Sequence, residues 1–177
     1  MEYLQLSKVY VNNIHNKAGT HAMSISSGGL ILPHTVSFQV GATNTDQSYT
    51  SGSGFVKAEW EFVEVDTGSY WDSTNHRYTP QVAGWYMFGG NIRFAVGSNM
   101  AYASANVHKN GTRALMHQVQ FANDEINNGS IPIASGLVQL NGSSDYVEVF
   151  VEFDHNTTIH DAGSVKSNFF GMLVHAT

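Results

Sequence analysis

The chain has 177 residues, enough for one well-buried domain with a short appendage and too few for two ordinary domains. Fourteen Asp and Glu against eight Lys and Arg leave a net charge of -6, which excludes a phosphate-neutralising stripe, and with it nucleic acid, and argues equally against anionic membranes. Charged residues are 12% of the total, about half the ~25% usual for soluble domains, and there is no cysteine, so a neutral, turn-rich fold must be held by burial or by association.

In chain order, Met1 to Ser7 lacks a basic region followed by an apolar core, and no apolar run approaches the ~20 residues of a membrane helix, so neither a signal peptide nor membrane insertion is expected. Residues 3 to 32 read as short extended pieces (Leu6 to Val11, Ala22 to Ser26, Leu30 to Leu32) separated by turns at Asn12-Asn13, Asn16 to Gly19 and Gly28-Gly29. The Gly-Thr-x-Ala-x-x-Ile-x-x-x-Gly rhythm from Gly19 to Gly29 resembles the shaft segments of bacteriophage fibres, and an ordinary N-terminal meander gives the same pattern. Pro33 marks a junction, because proline ends ladder pairing. The predicted organisation is therefore an attachment segment over 1–33 and a head over 34–177.

Within the head, Val36, Phe38 and Val40 alternate with polar residues as in a half-buried strand. A Gly-, Thr- and Ser-rich loop runs from Gly41 to Gly54, and Phe55 to Val65 is strand-like again. The central stretch opens at Thr79-Pro80 and alternates for about ten residues: Tyr86, Phe88, Ile92 and Phe94 share one parity, and Trp85, Met87, Asn91 and Arg93 take the other. One side of such a strand packs while the other meets solvent or a partner. Further strands are expected at Met100 to His108, Arg113 to Phe121, Ile131 to Leu140, Tyr146 to Phe153 and Asn168 to Val174, with a tight hairpin at Asn110-Gly111. With turn signals roughly every ten residues and no convincing helix, the fold class is an all-β sandwich or barrel.

Four landmarks fall in order: Tyr70 to Asp72; Tyr78-Thr79-Pro80 leading to Gly84-x-Tyr86-x-Phe88; Val107 to Gly111; and Ala134 to Leu140 followed by Asp145 to Val149. The chain closes on Asn168-Phe169-Phe170-Gly171-Met172-Leu173-Val174. Over residues 34 to 177 this resembles the globular head of complement first-component q and its tumour-necrosis-factor-like (TNF-like) relatives, with Ser144 where that family has glycine before Asp145 and Met172 where it has a second phenylalanine. The resemblance implies a jelly roll of about ten antiparallel strands that forms a homotrimer, with Tyr86, Phe88, Met172 and Val174 as candidates for the threefold contact. The same residues could equally fill the core of a single chain.

Chemistry is sparse. There is no phosphate loop, no His-Glu-x-x-His and no nucleophile elbow. His155 and His160, with Asp154 and Asp161, have a spacing that could serve Ca²⁺ or a transition metal in a loop; the same residues also make an ordinary solvated loop, and no ion or other cofactor is predicted. Glu148 and Glu152 alternate with Val, which reads as an exposed face in preference to a glycosidase pair. Trp71, in a segment flanked by Gly and Ser, is the tryptophan expected to be most exposed, and with His155 and His160 it is the candidate for touching a glycan or receptor.

The functional expectation is a non-enzymatic, trimeric virion surface protein: the tip of a bacteriophage tail or head fibre that binds a host surface glycan or protein through loops, with the N-terminal segment joined to other virion proteins. The rivals are a capsid decoration protein without host binding, a secreted TNF-like or complement-q-like binding module, and a polysaccharide depolymerase.

Overall fold

The computed structural model describes residues 35–42, 46–96, 100–121, 128–159 and 167–177, together with three short strands before them. Contacts divide the chain into two units, Met1–Thr35 and Val36–Thr177. In the first, β1 (Asn13–His15), β2 (His21–Ile25) and β3 (Ile31–Pro33) form an antiparallel sheet in the order β1-β2-β3. Strand β1 takes in Asn13, where the sequence suggested a turn; the expected piece Leu6 to Val11 lies outside the described residues.

The second unit is a sandwich of two antiparallel sheets. Its strands are β4 (Ser37–Ala42), β5 (Gln47–Tyr49), β6 (Val56–Lys57), β7 (Phe62–Asp66), β8 (Trp71–Asp72), β9 (Arg77–Tyr78), β10 (Ala83–Val96), β11 (Tyr102–Lys109), β12 (Thr112–Leu115), β13 (Gln118–Gln120), β14 (Asn128–Pro132), β15 (Gly136–Asn141), β16 (Val147–Phe153), β17 (Thr157–Ile159) and β18 (Ser167–Ala176). The first sheet runs β5-β17-β10-β18-β4-β7, with β14 and β15 also on β10; the second runs β12-β11-β16-β9-β8, with β13 on β11 and β6 on β16.

The fourteen-residue β10 organises the first sheet. One of its edges pairs β18 from Gly84 to Asn91 and β17 from Phe94 to Val96; the other pairs β15 from Ala83 to Phe88 and β14 from Asn91 to Ala95. On the β15/β14 edge the change of partner falls at Gly89-Gly90, while on the other edge both glycines still pair with β18. A Cβ on Gly90 (φ 147°) would lie 2.2 Å from the Asn168 carbonyl oxygen, so only glycine allows β18 this close.

The core between the sheets is aromatic. Phe38 stacks on Tyr78 with ring centroids 4.1 Å apart, Phe88 lies between Tyr86 and Phe169, and Val147, Val149, Val151 and Phe153 of β16 close the other side. The segment Phe55 to Val65, expected as one strand, is two, β6 and β7, which join different sheets; between them Trp60 turns into the core at 2% exposure. Strand β5 inside the Gly41–Gly54 loop, and β17 after Asp154, were not foreseen.

At the end of the sandwich where the chain enters and leaves, the Asn110-Gly111 hairpin has both residues left-handed (φ 52° and 78°). There Asn110 Nδ2 donates to Asp145 Oδ1 (2.7 Å), Asn110 Oδ1 accepts from the Tyr146 backbone N–H (2.9 Å), and Lys109 Nζ lies 2.8 Å from Asp145 Oδ2. The Lys-Asn-Gly and Asp-x-Val landmarks are thus two halves of one clamp. Burial pushes the Asp145 carboxyl up, but Lys109, Asn110 and the Asn141 backbone N–H outweigh it and hold the group below the ordinary carboxylate range.

Candidate association face and far end

Alternation on β10 separates two environments. Tyr86 and Phe88 have no exposed surface, so they cannot make a contact between chains as single-strand parity had left open; they belong to the sandwich core. Tyr86 also donates its hydroxyl to the Val82 carbonyl (2.8 Å), and burial, with help from Tyr70, pushes its phenol up to about 12. On the opposite parity Trp85 (40% exposed) and Met87 (44%) face outward. Met87 is in register with Leu137 on β15 and with Met172 on β18, 51% and 43% exposed, and Val174 beyond it is 56% exposed.

The apolar area continues across β18. Phe170 pairs with Gly89, where a Cβ would meet the ring tip at 3.0 Å, and a shallow depression of about 200 Å³ is lined by Ser37, Gln39, Val65, Phe170 and Met172. None of these lining side chains is charged. Five large apolar side chains about half exposed on one sheet face is more than solubility favours, which makes this face the candidate for an interaction.

The register also sorts the loops by end. Strand β4 starts beside Met172 and ends beside Ser167; β10 starts beside Ala176 and runs on to Thr157. The connection after β5, the segment before β11 and residues 154–156 therefore gather at the end opposite Val36 and Thr177. Ser51 ties them: its N–H donates to Asn156 Oδ1 (2.9 Å) and its hydroxyl to the Asp154 carbonyl (2.7 Å). Beside this knot is an open depression of about 330 Å³ lined by Ala95 and by Ser48, Tyr49, Thr50, Asn156, Thr157 and Thr158, the last six all uncharged hydrogen-bonding side chains.

Trp71 is half-buried, stacked 5.5 Å from Phe38, with its backbone N–H donated to Asp66 Oδ2 (2.8 Å); its ring packs against the core. His155 is 45% exposed at its side chain, with Nδ1 3.2 Å from Asp154 Oδ2. That carboxylate already accepts the backbone N–H groups of Ala101 (2.8 Å) and Tyr102 (3.3 Å). His160 and Asp161 lie outside the described residues, and among the described residues no group of three or more His, Asp and Glu could hold a metal ion.

Glu148 departs from the expected exposed face. It is 5% exposed and ion-pairs with Lys57, which β6 brings across β16. The partners are 91 residues apart, so no local spacing reveals the pair.

No protein-family model matches the sequence, and no curated protein is significantly similar to it. Among solved structures, murine APRIL, a TNF-family protein, superposes on 79% of this chain and 99% of its own with a TM-score of 0.58 and 9% identity. The chain has the complement-q/TNF-like jelly-roll fold. The globular domain of zebrafish complement 1qA protein aligns with 81% of this chain and 99% of its own, at 14% identity and a TM-score of 0.49. Identities this low establish the fold alone.

Proposed function

We infer that the chain is a non-enzymatic recognition head that works as a homotrimer on a virion surface, most simply as the tip of a bacteriophage tail or head fibre that contacts the host envelope. The observation that carries self-association is the apolar patch on the outer face of the first sheet, where Trp85, Met87, Leu137, Met172 and Val174 stand about half exposed together. Threefold symmetry is what the family resemblance adds.

The polarity of the head supports the recognition role. The chain enters and leaves at one end, while the connections gather at the other around a depression of neutral hydroxyl and amide groups, suited to a neutral surface glycan or a polar protein loop. Residues 1–35 form a unit of their own, available for joining other virion proteins.

Two measurements test this. Fluorescently labelled full chain should bind intact host cells and lose binding when Ser48, Thr50 and Thr158 are replaced together by Ala. Proteomics of purified particles should find the chain in the virion. Absence from particles removes the virion role, and cell binding unaffected by the triple variant moves recognition away from this end.

A further inference from the structure

We propose that the outer face of the second sheet carries an acid-operated latch, in which charging of His108 expels the Phe55 ring that covers it and opens the Gly52–Phe55 turn.

His108 lies on the outward parity of β11, yet it is only 6% exposed. Its ring stacks on Phe150 (centroids 4.3 Å apart, planes at 23°), and Phe55 packs against it edge-on at 5.6 Å. Neither ring nitrogen completes a hydrogen bond: the Gly111 backbone, which eases the burial in part, does not reach hydrogen-bond geometry. A neutral imidazole already carries one donor and one acceptor unmet; an imidazolium here would have two buried N–H donors and a charge without water.

The surrounding charges come from three strands. Arg113 on β12 and Glu148 on β16 are the register partners on either side of His108, and Lys57 on β6 ion-pairs with Glu148. Burial holds the imidazole below its ordinary range and Arg113 adds to this, while the Gly111 backbone and Glu148 offset part of it. Glu148, already engaged by Lys57, makes no hydrogen bond to the ring.

Relief must come from water, and Phe55 is the easier wall to move. Phe150 is fixed inside β16, between Val149 and Val151 that face the core. Phe55 is 39% exposed and precedes the short β6. The turn before it contains Gly52 (φ 82°) and Gly54 (φ 69°), both with open space where a Cβ would stand. Between Ser51 and Val56 the turn is held by Ser53 N–H to the Thr50 carbonyl (3.1 Å), Tyr49 hydroxyl to the Gly54 carbonyl (3.0 Å), and the Phe55 ring itself, over which Arg113 lies at 5.5 Å. Ser51 ties the same turn to Asn156 beside the far-end depression, so the latch adjoins that surface.

The sign follows from linkage. The closed state binds a proton more weakly than the opened one, so opening is suppressed above about pH 6.5 and rises as pH falls, by up to about tenfold per pH unit until the buried ring itself titrates.

The test is hydrogen–deuterium exchange of the full chain at pH 7.5 and 5.0, corrected for intrinsic rates, read over residues 50–57. Wild type should open more at pH 5.0, by up to about thirtyfold over the ~1.5 pH units below pH ~6.5, and His108→Phe, which keeps the aromatic sandwich without a titrating group, should remove the difference. A second readout covers a variant that folds poorly: the NMR titration of His108 should lie below about 6.5 in wild type and return towards that value in Phe55→Ala. The latch is overturned by a wild-type turn equally closed at both pH values, by an equal rise in His108→Phe, or by a titration that Phe55→Ala leaves unmoved.

Discussion

Gly171 shows how little slack the aromatic core holds. It sits in the middle of β18, opposite Phe88 on one side and Phe38 on the other. A Cβ there would lie 2.6 Å from Phe38 Cε1 and 2.6 Å from Phe88 Cδ1 and Cε1, about 1 Å inside ordinary carbon contact. Neither ring can retreat: Phe38 is stacked on Tyr78, and Phe88 is between Tyr86 and Phe169. Gly171→Ala should therefore cost about 1–3 kcal/mol of overpacking, offset by about 0.5–1 kcal/mol from the stiffer unfolded chain. The net loss of ~1–2 kcal/mol corresponds to a Tm lower by about 3–8 °C for a head of this size.

Gly41 is the control. Its added Cβ would meet Phe62 Cζ at 2.7 Å, but that is the tip of a half-buried ring on the edge strand β7, which can swing aside. Gly41→Ala should be within about 0.5 kcal/mol of wild type. Urea unfolding followed by tryptophan fluorescence, at one fixed protomer concentration, measures both variants. If Gly171→Ala is as stable as wild type, or Gly41→Ala is the worse of the two, the account of the core as rigidly filled is wrong.

Three further outcomes are expected. Met87→Glu places a charge at the centre of the proposed association face, so sedimentation should show a folded monomer with wild-type far-ultraviolet circular dichroism; an unchanged oligomer would place the contact elsewhere. Lys57→Ala leaves Glu148 buried without its cation and should cost about 3 kcal/mol in denaturant unfolding, whereas Lys57→Met with Glu148→Met should return to within about 1.5 kcal/mol of wild type. The Asp154 carboxyl is raised by burial but pulled lower overall by the Ala101 and Tyr102 N–H groups and by His155, as Asp145 is by its clamp. Their stabilisation is present above about pH 4 and lost as pH falls through the depressed values, so Asp145→Asn with Asp154→Asn should flatten the acid limb of a Tm-against-pH curve below pH ~4. Equal slopes in the variant and wild type would count against that assignment.

The sequence made the sandwich legible because alternation on β10, β11 and β16 is strong and the Asn110-Gly111 turn is explicit. It also separated the two faces of β10 correctly, since Tyr86 and Phe88 share parity with Ile92 and Phe94 while Trp85 and Met87 do not. What parity cannot do is say which face is the core: both carry large apolar side chains, and the choice depends on the second sheet. Strands β5 and β17 were missed because three-residue pieces rich in Ser, Thr and Gln carry no periodic signal; β17 is held by its pairing with the end of β10, and β5 by its pairing with β17. The sidedness of the loops, the burial of His108 and the Lys57–Glu148 pair depend on registers between strands far apart in the chain, which no window along the sequence contains.

The central claim is self-association through the outer face of the first sheet. Light scattering on the purified chain tests it most directly. The account predicts about three times the 19.3 kDa chain mass, falling to one chain in Met87→Glu. A stable monomer across micromolar concentrations would contradict it.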